Sequence, residues 1–145
     1  MKKIMVVFLP SLLFSCDNGA ADRNPYLPEA NFSFSINLNL PLYSGLKTPG
    51  NSIYIGNAGV GVRGVFVTNN GTSFFAWEAS CPNHVPSDCS TMTITGGINC
   101  RCACENYTYS LFTGAITGEE QPEGQAYSLL NYRTSFSGDV VVVSN

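Results

Sequence analysis

The stretch "SCPNHVPSDCSTMTITGGINCRCACENYTYSLFTG", residues 80–114, holds five of the six cysteines and the only histidine of this 145-residue chain. Cys81 follows a strand-like run, "FFAWEAS". "TMTI" and "INCRCACE" flank Gly96-Gly97, a hairpin signal between two short β-prone runs. Cys100, Cys102 and Cys104 alternate along a segment that begins as a strand, so their side chains share one face if the strand continues. Two cysteine-bearing loops, each following a strand, are therefore expected to face each other at one end of a β domain.

The rest of the chain agrees with a β reading. "NFSFSINLNL", residues 31–40, alternates strictly, with Phe32, Phe34, Ile36, Leu38 and Leu40 on one face; a period of two marks a half-buried strand. "SIYI" is a short strand. "GVRGVFVT" and "TSFFAWEAS" flank Asn69-Asn70-Gly71, which favours a tight hairpin. "YTYSLF" follows the cysteines, residues 119–124 form a loop, and "AYSLLNYRTSFSG" and "DVVVVSN" close with a hairpin around Ser137-Gly138-Asp139. No segment keeps a helical period over three turns. The expectation is a small all-β sandwich or barrel of many short strands.

The first residues read as an export signal. Lys2 and Lys3 precede an apolar run over residues 4–14 that is too short for a permanent span. Leu13-Phe14-Ser15-Cys16 resembles a bacterial lipobox, which implies a lipoprotein signal over residues 1–16 and lipidation at Cys16. The tether is expected over residues 17–30 and the domain over 31–145. The implied location is the bacterial cell envelope, lipid-anchored and periplasmic or surface-facing, with the membrane as partner through Cys16. Loss of the two lysines takes the net charge from −3 to −5. An acidic, charge-poor domain does not suit nucleic acid. Thiols outside the cytoplasm tend to pair, so disulfides are expected.

Three patterns are set aside. Residues 59–64, "GVGVRG", match G-x-G-x-x-G, but "VFVT" follows where phosphate binding needs a helix start; a bulge or sharp bend is the better reading. His84 has no nucleophile elbow to serve. Glu119 and Glu120 read as solvated loop carboxylates. No residue can be nominated as catalytic.

Residues 102–114, "CACENYTYSLFTG", together with "FFAWEASCPNH" upstream and "QPEGQAYSLLNYRTSFSGDVVVV" downstream, resemble the Rieske iron–sulfur family over residues 53–143. The resemblance implies an antiparallel Rieske-type β-sandwich or barrel with two cysteine loops at one end. It also implies a [2Fe–2S] cluster, one iron on two cysteines and the other on two histidines. Cys81 and Cys102 match the cysteine ligands. The histidine positions fall on Asn83 and Glu105, with His84, one place later than Asn83, as a substitute ligand if the loop rearranges. Asn106 stands where the family has glycine. The family's loop disulfide corresponds to Cys89–Cys104. A carboxylate is harder and more anionic than imidazole, and lacks its proton coupling.

With both histidine positions replaced, the favoured expectation is a cluster-free binding or structural module, stapled by Cys89–Cys104 and alternatively by Cys81–Cys102. The alternative is an electron-transfer protein carrying a [2Fe–2S] cluster with atypical ligands, Cys100 being a further candidate thiolate. A zinc site from Cys81, His84, Cys102 and Cys104 ranks lowest.

Overall fold

The computed structural model describes residues 23–145. The signal over residues 1–16, the lipidation site Cys16 and residues 17–22 of the expected tether lie outside the described residues.

Among the described residues nine strands form: β1 (Ser33–Asn37), β2 (Ser52–Ile55), β3 (Val65–Asn69), β4 (Phe74–Glu78), β5 (Thr93–Thr95), β6 (Asn99–Arg101), β7 (Thr108–Ser110), β8 (Asn131–Ser137) and β9 (Val140–Ser144). They make a six-stranded sheet in the order β1-β9-β8-β4-β3-β2 and a three-stranded sheet β5-β6-β7. Every pairing is antiparallel. The class is all-β, as expected, with one 3-10 turn at Ser44–Lys47. Among the described residues no helix is long and apolar enough to cross a membrane.

The strand alternation sets the layers. Phe32, Phe34, Ile36 and Leu38 face the core, but Leu40 lies beyond the end of β1 and is half exposed. β3 is buried along its whole length because it is covered on both faces. Val65 and Val67 join Ile36, Ile55, Val141 and Val143 in one core. Phe66 points the other way, with Trp77, Met92, Tyr109 and Leu111. This second core lies under the small sheet and carries the cysteine loops on it.

The "GVGVRG" segment makes a turn before β3, as the bend reading has it, yet it does hold an anion. The carboxylate is Glu78, fully buried on β4. It accepts hydrogen bonds from the backbone N–H of Val62 at 2.7 Å, Arg63 at 2.9 Å and Ser80 at 2.8 Å, and from the Tyr132 hydroxyl at 2.6 Å. Gly61 (φ 66°) and Gly64 (φ 94°) let the backbone close around it. A Cβ at Gly61 would lie 2.6 Å from the Gly64 carbonyl oxygen and 2.8 Å from the carboxylate itself.

From Arg23 onward the expected tether is docked on the domain. Leu27 is buried. Asn24 Nδ2 donates to the Pro82 carbonyl at 2.7 Å, and Tyr26 meets Tyr127 edge-to-face.

Candidate metal centre

β4 runs through Ala79 into the first loop at Cys81, and β6 ends at Arg101, immediately before the second loop. Cys102 therefore begins a turn instead of extending the strand. Its carbonyl accepts from the Asn106 N–H at 3.0 Å, and its own N–H donates to the Tyr107 carbonyl at 2.9 Å. Asn106 adopts φ 64°, a left-handed conformation that asparagine tolerates better than most residues. The turn corrects the one-face expectation for the three cysteines. Cys100, still on β6, is buried against Met92, its Sγ 3.8 Å from the thioether sulfur. Burial pushes its thiol pKa up to about 12. It is a core residue with no place among the ligands.

Cys89 and Cys104 are joined, with Cα atoms 5.4 Å apart. The bridge ties the two loops together; closing a loop of about 15 residues contributes on the order of 3 kcal/mol by restricting the unfolded chain. Cys81 and Cys102 are free thiols, so the alternative Cys81–Cys102 disulfide is not formed. Cys104 is committed to its bridge, which removes it from the expected zinc set.

Four ligand atoms converge between the loops, from Cys81, His84, Cys102 and Glu105, all within 4.8 Å of one another. His84 Nε2 lies 3.5 Å from Cys102 Sγ and 3.2 Å from Glu105 Oε2. Cys102 Sγ lies 3.2 Å from the same carboxylate oxygen. The other imidazole nitrogen, Nδ1, is 2.9 Å from the Val85 carbonyl. A carbonyl only accepts, so Nδ1 carries a proton, and Nε2 is the nitrogen turned toward Cys102 and Glu105. This is the arrangement that orients a metal-binding histidine.

Asn83, the expected first histidine position, does not reach the ligand group. Its amide donates to the Tyr127 carbonyl at 2.8 Å and to the Tyr109 hydroxyl at 2.9 Å. Its oxygen accepts from the Tyr127 N–H at 2.8 Å. With its polar atoms engaged on the segment before β8, Asn83 fixes the loop so that His84 turns inward. Tyr109 also approaches Cys81 Sγ, at 3.6 Å.

The electrostatics mark the two thiols as a pair. Cys81 is lowered, chiefly by its hydrogen bond with Cys102, and burial only partly opposes this. Cys102 is raised, first by that same contact and then by burial. The contact between the two thiols thus favours the charged form of Cys81 and the neutral form of Cys102. Burial disfavours the charged form of His84, but Cys102, the Val85 carbonyl and Glu105 outweigh it and raise its pKa. Burial and the neighbouring Cys81 raise that of Tyr109.

No family model matches the chain, and no curated protein does. Among solved structures, it is similar to a chain of the complex of reduced oxygenase and oxidized ferredoxin in carbazole 1,9a-dioxygenase. That match has 20% identity and a TM-score of 0.45, covering 66% of this chain and 82% of the other. It is similar to the ferredoxin of carbazole 1,9a-dioxygenase from Nocardioides aromaticivorans IC177, with 18% identity and a TM-score of 0.45, covering 69% and 91%. A third is a putative nitrite reductase NADPH (small subunit) oxidoreductase protein, with 15% identity and a TM-score of 0.40, covering 68% and 89%. At scores below 0.5 the chemistry of those proteins is not carried over, and the site stands on its own side chains.

Those side chains fit a [2Fe–2S] cluster in number but not in arrangement. The set has one imidazole instead of two. Bridging sulfides and a second iron would also have to lie between the thiol pair and the His84–Glu105 pair. Cys102 Sγ is instead in direct contact with both members of the other pair.

Proposed function

We propose that this chain is a metal-holding module of the bacterial cell envelope, built on a Rieske-like β domain and lipid-anchored through Cys16. The observation that supports it best is the convergence of Cys81, His84, Cys102 and Glu105 within 4.8 Å while both thiols stay out of disulfides. In an oxidising compartment thiols so close tend to pair, and a bound metal would hold such a pair reduced. The Cys89–Cys104 bridge and the Asn83 contacts hold the two loops in register for it. Four protein donors directed at one centre suit a binding or structural role.

The test is metal content together with a thiol map. Full-length protein from cells supplied with iron and zinc is expected to retain stoichiometric metal and a single disulfide. His84→Ala should lose most of the metal. Absence of metal with a second, Cys81–Cys102 disulfide would end the proposal and favour the cluster-free stapled module. The anchor is tested separately: Cys16→Ser should move the protein from the membrane to the soluble fraction, and unchanged partitioning would remove the lipid from the proposal.

A further inference from the structure

We propose that the four side chains hold one metal ion in tetrahedral coordination, a divalent ion of the zinc or ferrous-iron class, in place of a two-iron cluster. This rests on the metal-holding reading and specifies its occupant.

The separations carry the inference. Around a single centre with bonds of about 2.3 Å to sulfur and 2.0–2.2 Å to nitrogen and oxygen, tetrahedral donors stand roughly 3.4–3.8 Å apart. The three resolved edges, His84 Nε2 to Cys102 Sγ at 3.5 Å, His84 Nε2 to Glu105 Oε2 at 3.2 Å and Cys102 Sγ to Glu105 Oε2 at 3.2 Å, fall close to that range. Cys81 Sγ lies within 4.8 Å of the other three. One ion needs the donors to spread by a few tenths of an ångström; a binuclear cluster needs the two loops to part.

The donor chemistry agrees. Two thiolates, one imidazole and one carboxylate in a tetrahedron suit zinc or ferrous iron and do not suit magnesium or calcium, which take oxygen shells. On binding, each thiol gives its proton to solvent. The resulting centre carries one net negative charge, from two thiolates and a carboxylate against a divalent ion. The His84 side chain is 18% exposed and the Glu105 side chain 33%, so an ion can enter from the side these two residues occupy while the cysteines stay buried. Four protein donors fill the tetrahedron, the pattern of a structural site and not of an open catalytic one.

Cobalt(II) is the probe. It is titrated into full-length protein prepared without metal and with the Cys89–Cys104 bridge intact, and zinc(II) is then added. The expected result is one Co(II) per chain, with the intense visible bands of tetrahedral cobalt and a thiolate-to-cobalt charge-transfer band. One equivalent of Zn(II) should displace it. Glu105→Ala should weaken Co(II) affinity about tenfold or more and alter the visible bands, whereas Cys100→Ala should change neither. Recovery of iron with matching acid-labile sulfide from iron-supplied cells would overturn the single-ion inference and leave the metal-holding reading standing. Failure to bind cobalt, zinc or iron would overturn both.

Discussion

Glu78→Ala is expected to lower the folding free energy by roughly 3–5 kcal/mol, a large part of what a domain of this size has. The side chain is fully buried and accepts four hydrogen bonds, three of them from backbone N–H groups of Val62, Arg63 and Ser80. Removing it leaves those donors and the Tyr132 hydroxyl without partners, away from water, and each such loss costs about 1–3 kcal/mol. It also removes the group around which the turn before β3 is wound. Glu78→Gln should cost less but still clearly destabilise, because its amide N–H2 would face donors where the carboxylate presents an oxygen. Tyr132→Phe, which removes one donor and its single contact, should cost the least. Urea denaturation of the three variants gives the ranking. A Glu78→Ala midpoint within about 0.5 kcal/mol of the parent would mean that water replaces the carboxylate and that the turn does not depend on it.

Glu78 also shows where a sequence stops being legible. The alternating pattern of residues 31–40 and the short runs ending at Ile55 and at Ser144 correspond to observed strands, because apolar alternation follows directly from the two faces of a sheet. Nothing in "FFAWEAS" distinguishes a solvated glutamate from a buried one. Its partners come from residues 62 and 63 and from Tyr132, brought in by tertiary structure. The available signal was the glycine-rich "GVGVRG", set aside as a phosphate loop because a strand follows it; the sequence could not say that it closes on an internal anion.

The metal site divides in the same way. Cys81, Cys102 and Glu105, all singled out in the sequence, are brought with His84 to within 4.8 Å of one another. The first loop does not specify from sequence which of two adjacent residues faces inward. That choice is made by Asn83, whose amide finds Tyr127 and Tyr109 more than 20 residues away, leaving the next residue, His84, to turn toward the thiols. Cys100 was misplaced for a local reason. The alternation of three cysteines has meaning only while the strand lasts, and β6 ends at Arg101.

Zinc(II) is expected to raise the melting temperature of the full-length protein by on the order of 10 °C. An ion present at a thousandfold excess over its dissociation constant adds about 4 kcal/mol to the folded state, and in a domain of this size each kcal/mol shifts the midpoint by a few degrees. Cys102→Ser should abolish that shift while changing the metal-free midpoint little. The substitution keeps the size and the polar contact to Glu105 but replaces a thiolate ligand with a hydroxyl, and it relieves the contact between two thiols. This contrast separates ligation from packing. A purely structural Cys102 would lower the metal-free midpoint and leave the zinc response intact. The measurement must be made without reductant, because opening Cys89–Cys104 removes its own contribution and frees Cys104 to compete for the ion. An equal zinc shift in parent and Cys102→Ser would place the ion elsewhere, with the exposed Glu119 and Glu120 as the next donors to test. A shift lost with Cys102 and also with His84→Ala ties the stabilisation to both loops at once, which only an ion bridging them provides.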